Sequence, residues 1–294
     1  MSILNDMSWV LGLRTPFLTQ FLELVTLLGY GAFLITFVGF GYFFFSGRLF
    51  HRIALLLVTS GITNFLLKDI FQDARPDPMY QIDSRVGTSY GFPSGHAQIA
   101  VTLWGLIAIE TRHMLLRAAC ILIIALIIFS RPYLGVHDLG DVLGGTLIGL
   151  GLLAIWVASD RGYTPLVILK TLGWPLVLIF IIFAQALVAY IWPTHPLHTA
   201  PFWFMGMLPG WYLGVSLLGY CKLRHGLFVR LLVSILAGSV SFFGMVFTMR
   251  FANSFDGGTV LDSLAMYGIG VGFGLLITGL LPFLFYKLKL ADLS

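Results

Sequence analysis

Three short polar clusters stand out in an otherwise apolar chain: KDIFQDARP from Lys68, PSGH from Pro93, and SRPYLGVHDLGD from Ser130 to Asp141. Their residue types suit the handling of a polyanion. Lys68 and Arg75 lie seven residues apart, two turns if one helix carries both, so the two cations would point the same way. Ser94 reads as a helix N-cap with Gly95 and His96 in the first turn; a helix N-terminus offers an anion free N–H groups and a positive dipole end. Glycine there lets the anion come close to the backbone. Arg131 adds a third cation. His137 and Asp141 have i, i+4 spacing. A carboxylate one turn away can hold one imidazole nitrogen, fixing the tautomer and leaving the other lone pair as a nucleophile.

Each cluster alone has an ordinary structural explanation: cations snorkelling to a membrane surface, a plain helix cap, a histidine–aspartate hydrogen bond. Together they argue for function, because charged groups at span ends are costly in membranes and all three clusters fall on one face. Lys68, Arg75 and Arg131 would surround a trianionic group while two histidines supply nucleophile and acid. That is a phosphoryl-transfer site. No carboxylate cluster able to hold magnesium accompanies it, so neither a metal nor another cofactor is expected.

The elements that must position these residues are membrane spans. Of 294 residues 58% are hydrophobic and 10% charged, with a mean hydropathy of +0.94, whereas soluble domains carry about 25% charged residues. The predicted fold is all-α, a polytopic transmembrane helical bundle. Nine apolar runs, at 24–46, 52–71, 96–111, 115–134, 138–158, 166–192, 201–221, 227–249 and 262–286, follow an interfacial helix over 8–23. The N-terminus has no secretory-signal pattern, so no segment is expected to be removed. Ten of the seventeen basic residues, Arg48, Arg52, Arg112, Arg117, Arg161, Lys222, Arg224, Arg230, Lys287 and Lys289, fall on one face. The other face has Arg14, Lys68, Arg75, Arg85, Arg131 and Arg250, and Lys170 is left inside a span. The positive-inside rule makes the first face, with the C-terminus, cytoplasmic; the polar clusters then face the periplasm, the outside or a lumen.

The pattern K-x6-RP, PSGH, SR-x5-H-x3-D, read here at Lys68–Pro76, Pro93–His96 and Ser130–Asp141, resembles the type 2 phosphatidic acid phosphatase superfamily, with every motif position filled. The resemblance implies that His137 attacks phosphorus to form a phosphohistidine and that His96 protonates the leaving oxygen. It further implies that Asp141 orients His137, and that Lys68, Arg75, Ser94, Gly95 and Arg131 bind the phosphate. The likeness covers the first five spans, so residues 1–160 are expected to form the phosphatase core and 161–294 four further spans of unassigned role. The layout departs from that of six-span lipid phosphatases, with two spans before the first motif and five from the third onward. It is similar to glucose-6-phosphatases and to sphingosine-phosphate phosphatases, and nine spans argue against the vanadium haloperoxidases that share the motifs. The expected substrate is a lipid phosphate or diphosphate met among membrane lipids. The alternatives are a soluble sugar phosphate, a lipid phosphotransferase or, in another class, a transporter or scramblase. Against the last, the second half lacks intramembrane charges and shows no repeat of the first.

The remaining features read as structural. No basic stripe with interleaved aromatics suggests nucleic acid. Cys120 and Cys221 stand alone, and Gly140, Gly144, Gly145 and Gly149, like Gly268, Gly270, Gly272 and Gly274, suit close helix packing. His195 and His198 have metal-like spacing but no partner carboxylate nearby. Arg250, Asp256 and Asp262 would form an outer rim, and the polar loop 77–92 would gate or select the substrate.

Overall fold

A computed structural model describes residues 3–87, 89–160, 172–193, 199–224, 226–252 and 259–293. Arg161, Lys170, His195, His198 and Asp256 lie outside the described residues. The chain is helical, as expected. Its α-helices are α1 (Pro16–Thr26), α2 (Gly31–Phe44), α3 (Gly47–Phe71), α4 (Gly95–Glu110), α5 (Met114–Tyr133), α6 (Leu139–Asp160), α7 (Trp174–Tyr190), α8 (Thr199–Leu218), α9 (Leu227–Ala252), α10 (Val260–Leu275) and α11 (Leu281–Lys287), the last two joined by a π-helical turn, Leu276–Leu280. Cys221–Leu223 and Ala291–Leu293 pair as a short antiparallel ribbon.

A helix occupies each of the nine apolar runs. Among the described residues, however, five helices are long and apolar enough to cross a membrane, or six if the bent pair Pro16–Gly29 and Gly31–Phe44 is one span. The N-terminal segment also differs from one continuous interfacial helix. A 3-10 turn, Ser8–Leu13, stops at Arg14, and α1 restarts where Thr15 caps it, its side chain accepting from the Leu18 amide at 3.3 Å, with Pro16 at the first helical position. The helical path breaks again at Tyr30, whose backbone is extended.

Two compact units emerge from the packing: Met1–Tyr30 with Thr63–Thr164, and Gly31–Ile62 with Pro165–Ser294. In the first, α4 packs against α5 and α6, and α1 against α5. Val25, Ala100 and Ile127 form one apolar cluster, while Leu22, Tyr133, Leu134 and Val136 form another. The glycines of α6 explain its closeness to α4. A Cβ on Gly145 would run into the backbone of Ser94, and one on Gly149 would meet the Gln98 carbonyl at 2.8 Å. In the second unit α8 packs along α10 in the same manner: Gly206 and Gly210 abut the Tyr267 and Val271 carbonyls, and Gly270 and Gly274 abut the Trp203 carbonyl and Trp211 amide. Gly268 and Gly272 meet nothing within 4 Å, so only half of that glycine run is a packing surface.

Candidate active site

The site lies within the first unit, where helix ends and the 72–94 loop are laced together. Helix α3 stops at Phe71, because Gln72 turns to a left-handed φ of 48°. Lys68 is therefore on the helix and Arg75 is not. The expected two-turn register between them does not exist; the loop brings Arg75 to the site instead. Lys68, buried, donates to the carbonyls of Tyr90 and Gly91 (2.9 Å to the latter). The Gly91 amide donates back to the Asp73 carbonyl at 2.8 Å, and a Cβ on Gly91 would meet the Asp141 carboxylate at 3.0 Å. Gly135, at φ +72°, lies where a Cβ would strike the Tyr80 carbonyl, so the turn between Arg131 and His137 needs a glycine.

His137 sits just ahead of α6 rather than on it, and the pair with Asp141 still closes. The imidazole Nδ1 lies 2.8 Å from Oδ2 of Asp141, both side chains buried. The helix start is fixed by Asp138, whose carboxylate accepts from the Asp141 amide at 2.8 Å. With Asp141 ionised its carboxylate only accepts, which puts the proton on Nδ1 and the lone pair on Nε2. Nε2 faces the Arg75 guanidinium at 3.3 Å. That guanidinium is braced by the Val136 carbonyl at 2.8 Å and the Ser89 carbonyl and hydroxyl at 2.6 and 2.9 Å. Burial, followed by the charges of Arg131, Arg75 and Lys68, holds His137 well below the ordinary imidazole value, so it is neutral at pH 7. Burial and Arg131 lower Arg75 to about 10, where it stays charged at neutral pH.

Ser94 occupies the N-cap of α4, as read from the sequence, yet its hydroxyl makes no cap bond. Its amide donates to the Asp141 carbonyl at 3.0 Å, and its buried Oγ has no partner among the described residues. Gly95 starts the helix, and a Cβ there would meet Oδ1 of Asn64 at 3.0 Å. Asn64 in turn donates to the Pro93 carbonyl at 3.2 Å and to Gln98 at 2.9 Å, seating the loop. His96 follows in the first turn, bonded to the Thr26 backbone, and its buried Nε2 also has no partner among the described residues. Buried polar atoms are almost always paired, so a free hydroxyl and a free imidazole nitrogen at one helix start suit an anion.

Arg131 is buried in the last turn of α5 and bonds Thr26 and Asp83, with 3.5 Å to Asp83. Thr26, Tyr30, Asp83 and Asp138 were not singled out from sequence. Asp138 had a signal, an acidic residue three before Asp141 at a helix start; the other three had none.

A protein of Bacillus subtilis, phosphatidylglycerophosphatase B, is 32% identical over 163 residues, 51% of this chain and 78% of the relative. The PAP2 superfamily model matches residues 50–164, which hold all three motifs. The chain belongs to the PAP2 superfamily. It is an enzyme of the phosphatase kind, carried on apolar helices suited to a membrane. Two further relatives are lipid phosphate phosphatase delta of Arabidopsis thaliana, 26% identical over 68% of this chain and 49% of the relative, and mouse sphingosine-1-phosphate phosphatase 2, 30% identical over 45% and 41%. The chain thus spans less than half the length of the plant and mouse proteins it matches.

Proposed function

We propose that this PAP2 protein hydrolyses a lipid phosphate or diphosphate at the non-cytoplasmic face of a membrane, through a phosphohistidine on His137. The observation that carries the reading is the imidazole of His137, held by Asp141 on one nitrogen and turned toward the Arg75 guanidinium with the other. The substrate phosphoryl group enters beside Arg75, also drawn by Lys68, Arg131, the Ser94 hydroxyl and the amides that open α4 at Gly95. Nε2 of His137 forms the P–N bond as the P–O bond to the leaving group breaks, and the leaving oxygen takes a proton from Nε2 of His96. A bound dianionic ester next to His96 favours the protonated imidazole that this step needs. Water then attacks phosphorus, giving its proton to His96. The P–N bond breaks, and His137 returns neutral with Asp141 still on Nδ1.

The names of the relatives, which specify phosphatidylglycerophosphate, lipid phosphate and sphingosine-1-phosphate, favour a lipid ester over a soluble one. The test is release of inorganic phosphate, in detergent and excess chelator, from matched panels of lipid and soluble monophosphates. Turnover of lipid phosphates in chelator is expected. Preference for a sugar phosphate would reverse the substrate assignment, and activity that magnesium alone restores would overturn the mechanism.

A further inference from the structure

Tyr30 and Asp83 have no part in that mechanism, yet both press on groups it needs. Asp83 lies on the loop between α3 and α4, its carboxylate fully buried. A buried carboxylate is costly unless each oxygen is paired, and here each is. Oδ1 accepts from the Arg85 amide at 3.2 Å and its Nε at 2.8 Å; Oδ2 accepts from the Tyr30 hydroxyl at 2.6 Å and lies 3.5 Å from Arg131. The Tyr30 ring meets the His96 imidazole edge-on, with centroids 4.5 Å apart and planes at 82°. The Arg85 guanidinium lies 5.2 Å from the same tyrosine ring. Beside it, Gly29 is so close to His96 that a Cβ would overlap the imidazole. Thr26 takes a hydrogen bond from His96 on its backbone and one from Arg131 on its hydroxyl. The His96 ring is thus bounded by Thr26, Gly29 and Tyr30, and turning it would break the bond to Thr26 and the contact with Tyr30.

We propose that Tyr30 and Asp83 are positioning residues: Tyr30 holds the imidazole of His96 in the orientation that delivers a proton, and Asp83 ties Tyr30 and Arg131 to one carboxylate. This rests on His96 being the acid, as read above. The break in the helix at Tyr30 then has a role, since it turns Thr26, Gly29 and Tyr30 onto the site. A residue that only stabilised the fold would lower turnover of every substrate alike. One that aims an acid matters in proportion to the leaving group's need for a proton.

The experiment uses the full-length protein in detergent with two probes, 4-nitrophenyl phosphate, whose leaving group departs unprotonated, and an alkyl monophosphate, whose leaving group does not. Tyr30→Leu is expected to lower kcat on the alkyl ester roughly 10- to 100-fold and on the aryl ester only about threefold. Tyr30→Phe, which keeps the ring, restores most of the alkyl activity. Asp83→Asn raises KM and weakens vanadate inhibition about tenfold on both probes by loosening Arg131. Equal losses on both probes in Tyr30→Leu, or Tyr30→Phe as damaging as Tyr30→Leu, would overturn the role of Tyr30. Unchanged vanadate inhibition in Asp83→Asn would overturn that of Asp83, and it decides the matter if Tyr30→Leu does not fold. His96→Ala is run alongside. If it too slows both probes equally, the acid assignment fails and the inference with it; if it is selective while Tyr30→Leu is not, only the inference fails.

Discussion

Asp141 grips the Nδ1 side of His137 at 2.8 Å although His137 precedes the helix that carries Asp141. Asp138, capping that helix through the Asp141 amide, makes the grip rigid. A histidine held in this way presents one nitrogen outward in one tautomer. Loss of the nucleophile in His137→Ala should abolish phosphate release and the acid-labile phosphohistidine seen on rapid quenching. Asp141→Asn keeps the shape but removes the preference for Nδ1–H, and should lower kcat by up to roughly 10⁴. Full activity in His137→Ala would remove it from the mechanism.

The pH dependence follows from the direction of one shift. Burial and three cations depress His137, so in the free enzyme the nucleophile remains unprotonated as pH falls through about 6.5, the ordinary imidazole value. The acid limb of kcat/KM attributable to His137 should therefore lie below pH 6.5. The unfolded chain takes up that proton at higher pH than the folded one, so this histidine costs stability progressively as pH drops below the ordinary value. A kcat/KM profile whose acid limb bends at or above 6.5 on a substrate titrating elsewhere would contradict the buried, cation-flanked geometry.

Close packing of α6 on α4 predicts opposite outcomes for two glycines of one helix. Gly145→Ala forces a methyl into the backbone of Ser94, at the N-cap where the phosphate is proposed to bind. It should cost about 1–3 kcal/mol of stability, read as a lower Tm in detergent, and lower activity with it. Gly151→Ala meets nothing within 4 Å, and a gain in helix propensity of up to about 1 kcal/mol should leave Tm unchanged or raised. Similar losses at both positions would mean that α6 does not approach α4 in this way.

The helical class and the His137–Asp141 pair were legible because both rest on local spacing. Runs of apolar residues and an i, i+4 interval survive without knowledge of the fold. The common helix assumed for Lys68 and Arg75 failed for a local reason that the letters hide, the left-handed turn at Gln72. Asp83 and Thr26 were illegible for a different reason. Their contacts with Arg131 are 48 and 105 residues distant in sequence, and a lone aspartate in a polar loop or a threonine in an apolar run carries no periodic mark. Gly29 and Tyr30 looked like the interior of a span, yet they stand where the helix breaks. The count of spans fell for another reason: the runs at α4 and α7 form helices of only 16 and 17 residues, short of a full crossing, whereas the bent pair at Tyr30 changes the count among the described residues only from five to six.

The last prediction concerns which side of the membrane meets the substrate. Ten basic residues cluster on one predicted face and six on the other, and three of those six, Lys68, Arg75 and Arg131, are drawn into the proposed site. Setting those three aside leaves the site face with Arg14, Arg85 and Arg250, which sharpens the asymmetry that orients membrane proteins. Ser89 would be a poor reporter of that face, because its hydroxyl and carbonyl brace Arg75. Met79, in the same loop, is 69% exposed, and Leu288, just past α11, is 65% exposed. In sealed right-side-out vesicles a membrane-impermeant thiol reagent should label Met79→Cys directly and Leu288→Cys only after permeabilisation. Cys120 and Cys221 are both buried, so background labelling should be low. The reverse pattern would place the site in the cytoplasm. Labelling of both positions from outside would mean that an even number of crossings separates the loop from the tail, contrary to the nine-span layout.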